Sequence, residues 1–524
     1  MAEDPNDWKP ATKLIRGGLM RTAHGETAEA LFLTQSFVYP SAEGADARFA
    51  GDDPGFIYSR YANPTTAMFE QRLALLEGAE ACRAVASGMA AVNVALQGLV
   101  RAGDHIVAGR ALFGSCRWIL AELFPRFGVE TTFVDAPNLD EWRAAMRPNT
   151  KAVLVETPAN PLLEVTDVAE VAKIAHAAGA VVVIDNVFAT PIFQKPLELG
   201  ADIVVYSATK HIDGQGRVLG GAILGNAALM EEAYRDILRH TGPAISPFNA
   251  WVLLKGLETL DLRVRRQSDT AAALADQVAD HKKVSRCFYP GRADHPQAAI
   301  ARKQMSGFGN LVAFDLGSRE AAWRFLDALE IFDISNNLGD AKSMATHPST
   351  TTHRAMPEDK RLEIGLTEGC VRMSVGLEDV ADLSRDIARA RRLPGRHEVH
   401  RRARLAQLPR RGLQARGAPL RLGLHSGDRE PRRGDGAADG APLDHHRRPQ
   451  PSRGNRRRRR RRRAARARPP GSVPLRLRLP PPDPLRHNAR QLPHGHRRRR
   501  SLRHRHPRIL APPPRRSQQG ALVG

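Results

Sequence analysis

Lys210 sits in the segment Ser207-Ala208-Thr209-Lys210-His211, with two hydroxyls just before it and the apolar run Ile203-Val204-Val205-Tyr206 upstream. An amine at the end of a buried strand loses much of the solvation that favours its charged form, so it titrates low and becomes a nucleophile. Such a lysine is a candidate to form an imine with an aldehyde. A second apolar run, Val181-Val182-Val183-Ile184, ends in Asp185-Asn186 and places a carboxylate at the C-terminal edge of what reads as a parallel strand. Open α/β sheets bind their ligands at that edge. Taken alone, a lysine in such a stretch is more often a solvated surface charge, so the reading rests on its surroundings.

An amine for the aldehyde and an acid to keep a pyridinium nitrogen protonated are the two groups that pyridoxal 5'-phosphate (PLP) requires. Ser87-Gly88-Met89-Ala90 lies between a short apolar run and an Ala-rich helical stretch, where glycine admits close backbone approach and a helix N-terminus offers unpaired N–H groups to a phosphate. An ordinary βα turn has the same residues. With Ser207 and Thr209 it makes a phosphate cup. In Glu156-Thr157-Pro158-Ala159-Asn160-Pro161, the two prolines fix a turn that aims Asn160 at the same sheet edge, in reach of a ring hydroxyl. Tyr58 and Arg60 precede the helix start Asn63-Pro64-Thr65, with Thr65 the expected cap, on irregular backbone that suits ligand contacts or a plain loop surface. Arg372 interrupts the apolar run Val371–Val375, which implies a buried guanidinium in need of an anion, and a substrate carboxylate would serve. Between residues 334 and 353 a long polar stretch holds Ser335, taken with Arg372 as a candidate substrate-binding residue, and His347 and His353; such loops are often functional. Its histidines have no carboxylate or cysteine at helpful spacing, so they read as solvated, and no metal is expected. The glycines of 214–221 lack the G-x-G-x-x-G order of a dinucleotide site.

The elements that must position these groups follow from periodicity. Apolar runs at 84–86, 105–108, 129–134, 152–156, 181–185 and 203–207 alternate with helical stretches at 88–100, 114–127 and 167–178, the pattern of βαβ units and a mostly parallel sheet. An extended arm and loop over 1–60 precede this large domain, 61–255. A helical connector over 250–290 leads into a smaller α+β unit that ends at 390, with strands near 311–316 and 371–375. The domains expected are therefore 1–60, 61–255, 256–390 and a tail, 391–524.

The charge of +23 over 524 residues suggests a nucleic-acid partner until its placement is considered. From Arg391 onward there are 39 arginines, no lysine and seven acidic residues; this net of +32 leaves −9 for residues 1–390. The tail holds 19 of the 37 prolines and the run Arg456–Arg463, but no aromatic residue, so it cannot bury a core and is expected to be disordered. Arginine, proline and glycine in excess, with lysine absent, is what an out-of-frame reading of a GC-rich gene would give. A genuine nucleic-acid-binding arm is the alternative. Four scattered cysteines, a polar N-terminus and no apolar stretch of about 20 residues point to a reducing cytoplasm and no membrane.

Ser207-x-x-Lys210, Asp185-Asn186, Tyr58-x-Arg60, Ser87-Gly88-Met89, Glu156-x-Pro-x-Asn160-Pro161 and Arg372-x-Ser-Val-Gly together resemble the PLP enzymes of cysteine and methionine metabolism over about residues 10–390. Within that family, 334–353 and Ala111-Leu112-Phe113-Gly114-Ser115-Cys116 most resemble the O-succinylhomoserine sulfhydrylases. The resemblance implies the type I aminotransferase-like fold in homotetramers, dimers of dimers that share active sites. It implies Lys210 as the Schiff-base lysine, Asp185 against the ring nitrogen, Gly88, Met89, Ser207 and Thr209 on the phosphate, and Arg372 on the substrate carboxylate. Tyr58 and Arg60 would come from the neighbouring subunit. Phe113 stands where most of the family stacks a tyrosine, leaving Lys210 and Tyr58 as acid–base groups. The reaction implied joins an amino-acid substrate and sulfide; a cystathionine γ-synthase or γ-lyase would share every cofactor residue. No specific nucleic acid is implied.

Overall fold

The computed structural model describes residues 4–392. The tail expected from 391 lies outside the described residues, apart from Arg391 and Arg392, which close the last helix, Val380–Arg392.

Seven strands form the larger sheet: β1 (Ala81–Val85), β2 (His105–Gly109), β3 (Glu130–Val134), β4 (Thr150–Glu156), β5 (Val181–Asp185), β6 (Ile203–Tyr206) and β7 (Gly221–Gly225). Their order is β1-β7-β6-β5-β4-β2-β3. From β6 to β3 all neighbours are parallel, while β7 runs antiparallel to β1 and β6. Helices cover both faces, which is why β2, β6 and β7 are buried along their whole length and why β2 and β6 read as continuous apolar runs. Val153, Val155, Val182 and Ile184 pack with Val168 and Val171 of the helix Val168–Ala177. Their alternates Leu154, Val183 and Val205 pack with Ala91 and Ala95 of the helix Gly88–Gln97 on the other face. Because side chains alternate along a strand, Glu156, Asp185 and Ser207 share the parity of that second set and emerge together on the Gly88–Gln97 side.

The smaller sheet holds β8 (Arg286–Phe288), β9 (Leu311–Asp315), β10 (Asp333–Ile334), β11 (Met344–Thr346) and β12 (Cys370–Ser374), in the order β10-β11-β12-β9-β8. All pairs are antiparallel except β10 with β11. Leu383 and Ile387 of the last helix join Phe325 and Val371 in its core.

Four details differ from expectation. β7 lies where only a glycine-rich loop was read, and its glycines are steric: a Cβ on Gly221 would sit 2.2 Å from the Ser87 carbonyl oxygen. The stretch 114–127 is broken into an α turn, a π turn and a 3-10 turn, the last of them carrying Pro125, which has no N–H to give. Asn63, not Thr65, caps the helix Pro64–Glu77, because proline at the first helical position leaves the Thr65 N–H for the Asn63 side chain at 2.9 Å. The arm contains the helices Pro10–Arg16 and Ala42–Ala50, the second capped by Ser41.

A buried ion pair ties the arm down. Glu29 receives Arg72 Nη2 at 2.5 Å and Lys255 Nζ at 3.0 Å, and its carbonyl accepts from Trp251 Nε1 at 2.9 Å. Removing Glu29 leaves the fully buried Arg72 guanidinium with only the more distant Glu258 carboxylate, 3.7 Å away, as an ion-pair partner among the described residues, at a cost on the order of 3 kcal/mol. Glu29→Ala should therefore lower the denaturation midpoint clearly, whereas removing the exposed Arg143–Asp140 pair should leave it unchanged; equal midpoints for the two variants would refute this account.

Candidate active site

At the C-terminal edge of β4, β5 and β6 lies a cavity of about 250 Å³. Lys210 enters it from the turn after β6, a turn held from behind by Arg263 of the helix Leu260–Ala279. The Arg263 guanidinium donates to the carbonyls of His211 at 2.8 Å, Ile212 at 3.3 Å and Gly256 at 2.8 Å. Gly214 follows at φ +66, and a Cβ there would strike Arg263 Nη1 at 1.9 Å. Nothing in this turn is free to drift. Lys210 Nζ donates to Asn337 Oδ1 at 2.7 Å. Burial first, and then the nearby Arg372 charge, pull the ammonium down to about 8.

The acids face it from the strand ends. Asp185 and Glu156 are register partners on β5 and β4, both in the cavity wall, and desolvation raises both carboxyls well above the ordinary carboxylate range. Glu156 is raised further by the Asp185 charge beside it. Arg372, on β12, is 1% exposed; its Nη1 donates to Asn160 Oδ1 at 2.8 Å and its Nη2 to the Asn336 carbonyl at 3.0 Å. Its Nε has no hydrogen-bond partner among the described residues. A buried guanidinium with an idle donor is set up for an anion.

At the far end the helix Gly88–Gln97 points its N-terminus into the cavity, capped by Ser87, whose hydroxyl accepts from the Ala90 N–H at 3.1 Å. Gly88 touches Ser207 so closely that a Cβ would lie 2.4 Å from the serine Cβ. Met89, Ser207 and Thr209 line the same end, though the Thr209 hydroxyl is also bonded to Gly220. Backbone N–H groups, two hydroxyls and a helix terminus form a cradle that fits a phosphate, and with Lys210, Asp185 and the Phe113 ring they fit PLP.

The cavity thus gathers Lys210, Asp185, Ser87, Gly88, Met89, Phe113, Asn160, Ser207, Thr209 and Arg372. Tyr58 and Arg60 lie outside it. Both are on the surface of the arm, where Arg60 stacks on Tyr61 at 4.8 Å and donates to the Arg239 carbonyl. Ser335 is one step removed: its hydroxyl accepts from the Asn337 N–H at 3.2 Å and so braces the residue that holds Lys210. The two histidines are buried rather than solvated. His347 bonds Thr350 and the Glu368 carbonyl, and His353 bonds Thr352. Among the described residues no group of three or more His, Cys, Asp or Glu side chains is placed to hold a metal. Sequence reading missed Asn336, Asn337, Thr352 and a role for Glu156. The parity of Glu156 with Asp185 was the available signal; the polar loop residues carried none.

The family model for "Cys/Met metabolism PLP-dependent enzyme" matches residues 11–392. The chain belongs to that family. It is therefore a PLP-dependent enzyme with the fold of that group. Two curated proteins named O-succinylhomoserine sulfhydrylase are similar to it: one from Mycobacterium tuberculosis (strain CDC 1551 / Oshkosh), 52% identical over 74% of this chain and 96% of its own length, and one from Pseudomonas aeruginosa, 48% identical over 72% and 94%. A crystal structure of a putative O-acetylhomoserine (thiol)-lyase from Campylobacter jejuni superposes with a TM-score of 0.71 at 29% identity, covering 73% of this chain and all of that one. That structure carries N'-pyridoxyl-lysine-5'-monophosphate at its position 205.

The depressed titration of Lys210 is testable in cofactor-free protein of this PLP-dependent enzyme. Below pH 8 the side chain is an ammonium and cannot attack; above it the neutral amine prevails. The rate of PLP uptake should rise with pH through a midpoint near 8, followed by visible absorbance, and a midpoint near the ordinary 10.5 of lysine would contradict the effect of burial.

Proposed function

We propose that this chain carries out γ-replacement on O-succinyl-L-homoserine, exchanging succinate for sulfide to give L-homocysteine in methionine biosynthesis. The observation that carries the reading is a lysine with a depressed pKa enclosed with Asp185 and an anion-ready Arg372 in one small cavity. The names of the two sulfhydrylase relatives favour the succinyl substrate and sulfide over a synthase or lyase reaction.

PLP, when bound, supplies an aldehyde for the amine and a ring that withdraws electrons from the carbon beside it. Asp185 keeps the ring nitrogen protonated by offering it a buried carboxylate. The N-terminus of the helix Gly88–Gln97, with Ser207 and Thr209, neutralises the phosphate. Arg372 takes the substrate carboxylate, using the Nε that has no other partner, and so fixes the Cα proton toward Lys210. Once neutral, Lys210 takes the Cα proton, gives it up to the electron-withdrawing group, and is then neutral again to take a Cβ proton as succinate leaves from Cγ; after sulfide has added at Cγ it returns a proton to Cβ and one to Cα. Phe113 gives the ring an apolar face without a phenol, so it moves no proton. Asn337 holds the Lys210 amine between these transfers.

Tyr58 and Arg60 complete the phosphate site from a second subunit, in a cytoplasmic homotetramer. Their position on an arm that also exposes Leu33, Val38 and Phe49 supports this, since exposed apolar groups of that size suit a subunit interface. The enzyme is built from the residues before 393, where the family match ends.

Incubation of the purified protein with O-succinyl- or O-acetylhomoserine, and sulfide or cysteine, tests the reading by product. Homocysteine from the succinyl ester and sulfide is expected; cystathionine from cysteine, or a 2-oxo acid and ammonia without any thiol, would replace it with synthase or lyase chemistry. Lys210→Ala should abolish turnover while the fold survives. Co-assembly of inactive Arg60→Ala and Lys210→Ala subunits should restore part of the activity, because one of the two sites in a mixed dimer then has both wild-type groups. No recovery in confirmed mixed dimers would put both residues in one subunit.

A further inference from the structure

Glu156 is costly where it stands. It is 6% exposed, it ends β4 directly beside Asp185 on β5, and two like charges there repel. A glutamine of the same shape would avoid the repulsion. The hydrogen bonds show what it would lose: Glu156 Oε2 accepts the Phe113 N–H at 2.7 Å and Oε1 accepts the Asn160 N–H at 2.9 Å. These N–H groups belong to two different loops, one after β2 and one after β4. A carboxylate offers two acceptor oxygens, whereas an amide would set an NH₂ donor against one of the buried N–H donors.

We propose that Glu156 is a positioning residue that locks the Phe113 ring and the Asn160 carboxamide over the cavity and, through Asn160, the Arg372 guanidinium. The linkage is continuous. Asn160 is held at its backbone by Glu156 and at its side chain by Arg372 Nη1, 2.8 Å away. Glu156 thus sets the ring-stacking wall and the substrate anchor at once, without itself reacting. This rests on reading the cavity as the cofactor and substrate site.

Full-length Glu156→Gln, which keeps the shape and one acceptor, is compared with wild type both PLP-loaded and after cofactor removal. In the cofactor-free proteins, hydrogen exchange followed by mass spectrometry should show segments 110–116 and 157–163 exchanging at least about tenfold faster in the variant, with 203–213 unchanged. In the loaded enzyme, the visible circular dichroism of the cofactor should fall, KM for the amino-acid substrate should rise about tenfold, and kcat should change less, since Lys210 and Asp185 remain. Unchanged exchange in both segments, or faster exchange spread over the whole chain, would overturn the proposal. Glu156→Asp serves if Glu156→Gln does not fold: the shorter side chain cannot span both loops, so the same local signature is expected, and its absence counts equally against Glu156. If wild type itself fails to take up PLP, the site reading falls, while the exchange result still decides the role of Glu156 in the loops.

Discussion

Desolvation at the carboxyl edge of the parallel sheet sets the properties of every group in the cavity. Helices on both faces exclude water from β4, β5 and β6, and the first polar side chains past their apolar runs inherit that dry environment. Burial pushes amines down and carboxyls up. Lys210 is brought near neutrality while Asp185 and Glu156 hold protons more tightly than free carboxylates. For the two acids the consequence for stability has a definite sign. Each binds its proton more strongly folded than unfolded, so the cofactor-free protein loses stability as pH rises above the ordinary carboxylate range. A cation held against Asp185 would offset that loss.

Such a site functions only if its groups do not move to relieve their own electrostatic cost. Arg263 meets this need for Lys210 by bonding the backbone carbonyls after it, and Asp213 does so on the other side by accepting from the Arg217 N–H at 2.7 Å. Behind the sheet, Tyr206 donates to Glu77 at 2.5 Å and accepts from Asn186 at 2.7 Å, which fixes the residues that precede Ser207 and follow Asp185. Among the described residues, two buried atoms of this set have no partner: Arg372 Nε in the cavity wall and Glu77 Oε1 behind the sheet.

Much of this was legible because strand parity and chain order carry it. The runs ending at Asp185 and Tyr206 have a period that fixes which face each side chain takes, and the βαβ alternation fixes which edge they share. Gly88 and Arg372 were conspicuous for a similar reason: a glycine at a strand-to-helix junction and a charge inside an apolar run both break a local rule. Where no rule is broken, nothing shows. Asn336 and Thr352 reach the cavity, and Asn337 reaches Lys210, from a polar stretch whose strands β10 and β11 are too short to leave a period. β7 escaped notice because Ala222-Ile223-Leu224 is brief and Gly221 read as the end of a loop, although that glycine is set by close packing against Ser87 and Gly225 by packing against Asp202. The Asn63 cap was one residue pair away from the choice made, since proline at the first helical position moves the free N–H to Thr65.

The arm follows the same logic of a fixed root. A buried Glu29–Arg72–Lys255 cluster is expensive to desolvate and is a weak source of stability by itself. Its value is register: it holds residue 29 against helices of the large domain, so the chain beyond it leaves at a defined place. Phe32 is pinned next, its N–H on the Thr65 hydroxyl at 2.9 Å and its carbonyl on the Asn63 amide at 2.9 Å. Beyond that point the arm exposes apolar side chains and carries Tyr58 and Arg60 on its surface, outside the cavity lining. With its root fixed, the arm presents Leu33, Val38 and Phe49 at a defined place on the surface, while Arg60 is held by the Arg239 carbonyl and the Tyr61 ring.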